Sequence, residues 1–288
     1  MKVTLLNPEE VVTAFAEIGK FASICKNDCD AKIDFEKIGL HCVRANHGSP
    51  CRSFKWRFRV EDISRVCSHQ LVRHSIGVAI NQQSGVFMPT EVTEDNIVIP
   101  PTVEAIITND PQGELAQDID AFIALSNKIV TNLRSAGCSN SDSRYFAPEA
   151  ICTGMNIAFS PEALRHLCHE RLCTKAQWEI RKVARAMANE VCKVDPRWKE
   201  FLVPKCILYN GCREPLGCGY FNKVSTNPNG DKVPAKIEDR LIHYKCEGCG
   251  VLLYAKDDDA VPGILVTQTD GLEHFMCRNC VRENGMQA

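Results

Sequence analysis

The alternation of apolar and polar positions divides the chain into short strands and longer amphipathic helices. Residues 2–6 read as a short strand. Asn7 then suits an N-cap, Pro8 the first helical position, and Glu9 and Glu10 complement the helix dipole. Val11, Phe15, Ile18 and Ala22 follow at helical spacing. From Phe54 to Val60 the alternation is strict: Phe54, Trp56, Phe58 and Val60 share one face, and Lys55, Arg57 and Arg59 the other. That pattern predicts a strand packed on a core, with its basic side in solvent. Residues 61 to about 80 read as a helix carrying Ile63, Val66, Cys67, Gln70, Leu71 and His74 on one stripe. A loop is expected at 84–90 and a short strand at 97–99, closed by Pro100-Pro101. Glu114–Ser135 predicts a strong amphipathic helix ended by Gly137. Residues 151–159 read as a strand, and 161–172 and 174–194 as two helices.

The expected fold class is therefore α+β. A mixed helix/sheet domain spans 1–204, a Cys/Gly/Pro-rich linker 205–239, and a small cysteine-bearing domain 240–288. No internal repeat is evident. The 288 residues allow a substantial core, and a net charge of −2 excludes the strongly basic footprint of a general nucleic-acid coat. No apolar run approaches membrane-spanning length, and Met1 leads straight into a strand-like segment. Seventeen cysteines, most of them scattered singly, then argue for a reducing cytoplasm and for metal ligation rather than disulfides.

Two C-x-x-C knuckles, Cys246/Cys249 and Cys277/Cys280, flank a β-rich stretch that includes Val251–Tyr254 and Ile264–Val266. Each knuckle can offer two thiolates to one tetrahedral ion, which predicts a closed, structural zinc ribbon with no open coordination position. Such a ribbon can bind nucleic acid or protein, or merely staple a tail. Cys206, Cys212 and Cys218 form a looser cluster, equally readable as free thiols or as ligands with one borrowed partner.

The chemistry is expected in the first 204 residues. Gln70, Arg73 and His74 fall close together on the predicted helix, followed by Asn81 to Ser84. Farther on come Ser143-Arg144-Tyr145, then His166, His169, Arg171, Gln177 and Glu179. The planar fork of arginine suits phosphate and imide oxygens, so this set hints at an anion site.

These segments resemble the flavin-dependent thymidylate synthases, the ThyX family. The resemblance rests on His47-Gly-Ser49-Pro50, on Ile63-Ser64-Arg65 through Gln70-Leu-Val-Arg73-His74, and on Ser143-Arg144-Tyr-Phe-Ala-Pro148. It continues through Leu164-Arg165-His166-Leu167, Arg171 and Ala176-Gln177-Trp178-Glu179-Ile180-Arg181, the most specific piece, and runs from Met1 to about Cys218. It implies an α+β homotetramer with active sites between subunits, FAD as cofactor, NADPH as reductant, methylenetetrahydrofolate as one-carbon donor and dUMP as acceptor. By the same resemblance Gln70, Arg73, Ser84, Gly85, Arg144 and Arg171 bind the nucleotide. Arg171 is the catalytic cation at the pyrimidine edge, where it stabilises developing enolate charge. His47, Ser49, Arg73, His74, Ser75, Gln82 and His166 stand at flavin-facing positions.

The motifs also depart from the family. R-H-R, seven residues and Ser becomes Arg73-His74-Ser75, eight residues and Ser84. The arginine of S-x-R-Y is Val86, and the Glu two before the serine is Gln82. The E-H after S-P is Arg52-Ser53, and the N-x-R before the second signature is Ser160-Pro161-Glu162. Two other readings stand beside thymidylate synthesis. One is a relative acting on another pyrimidine nucleotide such as dCMP, or with another one-carbon outcome such as hydroxymethylation. The other is a non-catalytic nucleotide-binding domain with the ribbon as adaptor.

Overall fold

The computed structural model describes residues 1–26, 33–87, 91–208 and 212, together with the backbone of four short strands nearer the C-terminus. The chain divides into two compact units, Met1–Cys218 and Gly219–Ala288.

The first unit is built on a four-stranded antiparallel sheet in the order β1-β2-β4-β3, from β1 (Lys2–Leu5), β2 (Trp56–Ser64), β3 (Val78–Gln82) and β4 (Cys152–Phe159). Strand β2 shows the expected alternation, with Trp56, Phe58 and Val60 buried and Arg57 and Arg59 exposed. Around the sheet run α1 (Glu9–Val12), α2 (Ala14–Ser23), α3 (Phe35–Arg44), α4 (Arg65–Leu71), α5 (Pro101–Asn109), α6 (Glu114–Ser135), α7 (Asn140–Ser143), α8 (Pro161–Arg171), α9 (Trp178–Val194) and α10 (Lys205–Leu208).

One core joins the inner face of the sheet to α2, α8 and α9 through Phe58, Ile157, Phe159, Leu164, Ile180, Val183 and Met187. Trp198 closes it. Phe15 stacks on Trp198 at 4.6 Å between centroids, and Trp56 meets it edge-on at 4.7 Å. Helices α2 and α3 touch backbone to backbone at Gly19 and Gly39, where an added Cβ would lie 1.8 Å from a carbonyl oxygen of the other helix. A second, smaller cluster of Val92, Ile97, Ile123 and Val130 seats α6.

Several expectations are corrected. Asn7 is fully buried and caps no helix; its Nδ2 donates to Lys55 O at 3.1 Å, and its Oδ1 accepts from Arg57 N at 2.7 Å. It extends the pairing of β1 with β2 instead. Residues 61–80 are not one helix. Strand β2 continues to Ser64 through a bulge at which Asp62 takes φ 56°, α4 lasts only seven residues, and Gly77 at φ 73° turns the chain into β3. Pro100-Pro101 opens α5 rather than closing a strand, and Ile97 keeps only an isolated bridge to Ile151. The helix expected from 174 begins at Trp178, because Gln177 caps it. Glu114–Ser135 is helical as expected.

In the second unit β5 (Ser225–Thr226) pairs antiparallel with β6 (Lys232–Val233), and β7 (Gly263–Thr267) with β8 (Glu273–Cys277). The β-character expected at 264–266 is present in β7. Cys246, Cys249 and Cys280 lie outside the described residues, and Cys277 is described only as backbone at the end of β8. Among the described residues no group of three or more metal-ligating side chains occurs. Among them, too, no helix is long and apolar enough to cross a membrane.

Candidate active site

The site is assembled by caps and buried pins. Ser64 ends β2 and caps α4, its Oγ accepting from Cys67 N at 3.0 Å. The same serine is held from behind by Glu179, whose buried carboxylate accepts from Ser64 N at 2.7 Å and from Ser64 Oγ at 2.5 Å. Glu179 is in turn placed by Gln177, whose Oε1 accepts from Glu179 N and Ile180 N, both at 3.0 Å. Arg181 Nη1 closes the preceding turn on Thr174 O at 2.8 Å. The Ala176–Arg181 signature therefore acts as a bracket. It fixes the start of α4, the short helix that carries Gln70 and leads into Arg73 and His74.

From that frame His74 reaches α8. Arg171 Nε donates to His74 Nε2 at 3.0 Å, and the His74 and His166 rings meet edge-on at 5.9 Å between centroids. Accepting this bond requires a neutral imidazole with its proton on Nδ1. Burial, followed by the charges of Arg171 and His166, pushes the His74 pKa down to about 4, so the neutral form holds at neutral pH. The nearby His169 is buried and is likewise lowered to about 4, chiefly by desolvation. Arg73 is exposed, without a hydrogen-bond or ion-pair partner among the described residues.

His47 and Ser49 are exposed on and beside the 3-10 turn Ser49–Arg52. That turn is tied to α8 from two sides. Arg52 pairs with Glu162, through Nε to Oε2 and through Nη2 to Oε1 at 3.1 Å. Arg165 donates to Val43 O at 3.0 Å and to Asn46 Oδ1. The Arg52 hydrogen bond also holds the Glu162 carboxyl below its usual pKa range. Arg52 and Glu162 are two of the positions that depart from the family pattern, and they face each other.

Ser84, Gly85 and Arg144 come together in a cavity of about 400 Å³, with Arg65, His69, Gln83 and Glu149 also on its wall. Gly85 lies close against Arg144, since a Cβ there would stand 2.9 Å from Arg144 Nη1 and 3.1 Å from its Cδ. Gln70, Arg73, His74, His166 and Arg171 do not line this cavity. A single chain thus places the expected substrate residues in two groups. Ser75 is exposed in the turn before β3. Gln82 faces inward, donating to Ser68 Oγ at 3.0 Å and to Thr153 Oγ1 at 3.3 Å.

Arg65, His69 and Glu149 are site residues that reading the sequence missed. Arg65 stands within the Ile63-Ser64-Arg65 segment and His69 beside Gln70, whereas Glu149 directly follows Pro148 and carries no signal of its own. The hydrogen bonds joining Ser64 to Glu179 span 115 residues and have no local signature.

An antiparallel sheet braced by a capped helix pair, with histidines and arginines gathered at their junction, makes this unit an α+β fold. The sequence model of the family described as thymidylate synthase complementing protein matches residues 4–197. A flavin-dependent thymidylate synthase of Pyrococcus furiosus is 30% identical over 234 residues, covering 76% of this chain and 93% of that protein. One from Clostridium tetani is 28% identical over 238 residues, with the same shares covered. Among solved structures, the UMP/dUMP methylase PolB from Streptomyces cacaoi bound with 5-Br dUMP has the same fold. Its TM-score is 0.52 at 17% identity, covering 68% of this chain and 92% of that one. The chain belongs to the flavin-dependent thymidylate synthase family.

Proposed function

We propose that the protein is a flavin-dependent thymidylate synthase, transferring a one-carbon unit from methylenetetrahydrofolate to C5 of dUMP with NADPH as reductant. Beyond family membership, the observation that carries this reading is the Arg171–His74 hydrogen bond. It joins the altered R-H-S segment to the second signature and leaves the cation of Arg171 free for substrate. With Nε engaged by His74, the Nη1 and Nη2 donors of Arg171 remain available to a pyrimidine carbonyl. The guanidinium then stabilises charge that develops on the ring oxygen as C5 becomes nucleophilic. His74, neutral and accepting, holds Arg171 in place without competing for that charge.

The donor set fits FAD. Flat imidazoles at His74 and His166 offer surfaces for a ring system, and the unpartnered Arg73 with the exposed His47 and Ser49 offers donors for its diphosphate and ribityl chain. When bound, the flavin supplies hydride to the transferred carbon. Ser75 is exposed, whereas Gln82 spends its amide nitrogen on Ser68 and Thr153. Arg144, Ser84 and Gly85 hold the nucleotide, with Gln70 and Arg73 completing the site from a second copy. The division of these residues into two groups supports the homotetramer that the family resemblance implies. The Cys246, Cys249, Cys277 and Cys280 knuckles are proposed as structural zinc ligands, to be checked by metal analysis of the purified chain.

The test is the visible absorption spectrum of the FAD-loaded protein before and after dUMP, followed by dTMP formation with the folate and NADPH. A flavin band perturbed by dUMP and a dTMP product are expected. No response to dUMP, or product only from dCMP, overturns the reading.

A further inference from the structure

The cavity that holds Ser84, Gly85 and Arg144 contains a second arginine, to which the family resemblance assigned no role. Arg65, the first residue of α4, is half-buried on its wall. Neither Arg65 nor Arg144 has a side-chain hydrogen bond or ion pair with a described residue. The carboxylates on the wall leave them unclaimed. Glu149 Oε2 lies 3.3 Å from His69 Nδ1, and Glu91 is exposed and bridged to neither arginine. Two forked cations and the Ser84 hydroxyl thus converge on one concave polar surface with their donors unspent. A partly desolvated guanidinium is costly without an acceptor, and a doubly charged oxyanion satisfies two forks at once. The chain also lacks the arginine that the family carries directly after Gly85, where it has Val86.

We propose that Arg65, together with Arg144 and Ser84, binds the phosphate of the nucleoside monophosphate substrate and takes the place of the cation missing at Val86. The inference rests on the thymidylate synthase reading and adds a substrate contact to it. Arg65 is well placed for this. Ser64, the residue before it, is pinned by Glu179, and Arg65 N donates to Ile151 O at 3.1 Å, so the root of the side chain is fixed.

The experiment is equilibrium binding of dUMP and of deoxyuridine to the full-length, FAD-loaded protein and to its Arg65→Gln and Arg65→Lys variants, with FAD retention and thermal midpoint measured in parallel. A charge-assisted phosphate contact predicts a roughly tenfold to hundredfold weaker dUMP affinity in Arg65→Gln. Deoxyuridine affinity and FAD retention should be unchanged, with partial recovery in Arg65→Lys. Equal dUMP affinity in wild type and Arg65→Gln overturns the proposal while leaving the functional reading intact. Loss of FAD retention with dUMP affinity preserved overturns it in favour of a flavin diphosphate contact. If dUMP and deoxyuridine bind the wild type equally weakly, both the proposal and the functional reading fail. A variant that does not fold is replaced by the salt dependence of dUMP binding in wild type and Arg65→Lys, where an unchanged slope and affinity count against the contact.

Discussion

Glu179→Gln tests whether the most specific signature of the chain serves as scaffold. The carboxylate is 3% exposed and accepts two hydrogen bonds from one residue, Ser64 N at 2.7 Å and Ser64 Oγ at 2.5 Å. An amide has one oxygen, so the two-oxygen arrangement is lost, and its NH2 comes to face the Ser64 hydroxyl, which now donates to Glu179. Hydrogen bonds to a charged acceptor contribute about 1.5–3 kcal/mol, and a buried unsatisfied donor costs a further 1–3 kcal/mol or so. Part of that second cost is recovered if the Ser64 hydroxyl turns its proton away and accepts from the amide with its second lone pair, keeping its cap on Cys67 N. A net loss of about 2–4 kcal/mol is expected. For a unit of this size, that lowers the thermal midpoint by roughly 5–15 °C. Because Ser64 sets the start of α4, flavin and dUMP affinity should fall together. The assay is thermal unfolding followed by far-UV circular dichroism, with FAD retention measured on the same samples. Glu179→Gln that loses turnover while keeping its midpoint and FAD would refute the bracket and make Glu179 a chemical group.

Arg171→Ala should abolish dTMP formation while the protein stays folded, because the residue is half-buried at a helix end and its Nε bonds to His74; turnover within tenfold of wild type would exclude its role at the pyrimidine. His74 has a pKa of about 4 in the folded chain against an ordinary value near 6.5. Above pH 6.5 it has no effect on stability. As pH falls from 6.5 to 4 the unfolded chain takes up a proton that the folded chain refuses, so stability declines across that window. For a half-buried ring the loss is about 1–3 kcal/mol after allowing for solvent screening. Urea midpoints at pH 7.5 and 5 should show a smaller difference in His74→Gln than in wild type, and identical differences would count against it. Arg52→Glu should loosen the turn at His47 and Ser49 and weaken FAD binding, and the doubly exchanged Arg52→Glu/Glu162→Arg protein should recover it. Failure of the double variant to improve on the single one would show that the pair is not what ties the turn to α8.

The strongly periodic elements were legible in the chain itself. Glu114–Ser135 keeps its apolar stripe over six turns, and β2 alternates cleanly, because each meets one continuous apolar surface that imposes its own period. Family motifs marked Gln70, Arg73, His74, Arg144 and Arg171 as expected site residues, because a motif is a local string that needs no fold to be read. The segment 61–82 was not legible. Its pattern fits a helix stripe, yet a bulge at Asp62, a cap at Ser64 and a positive φ at Gly77 break it into strand, short helix and strand. Helix α3 was missed as well; its packing depends on the close approach of Gly39 to Gly19, two residues that carry no periodic signal. Tertiary structure alone decided which distant residues meet. Arg52 meets Glu162 across 110 residues, and Arg65 reaches the wall shared by Ser84 and Arg144. A hydrogen bond or an ion pair is a short-range contact between side chains, and only the folded path of the backbone settles which distant residues come within its reach.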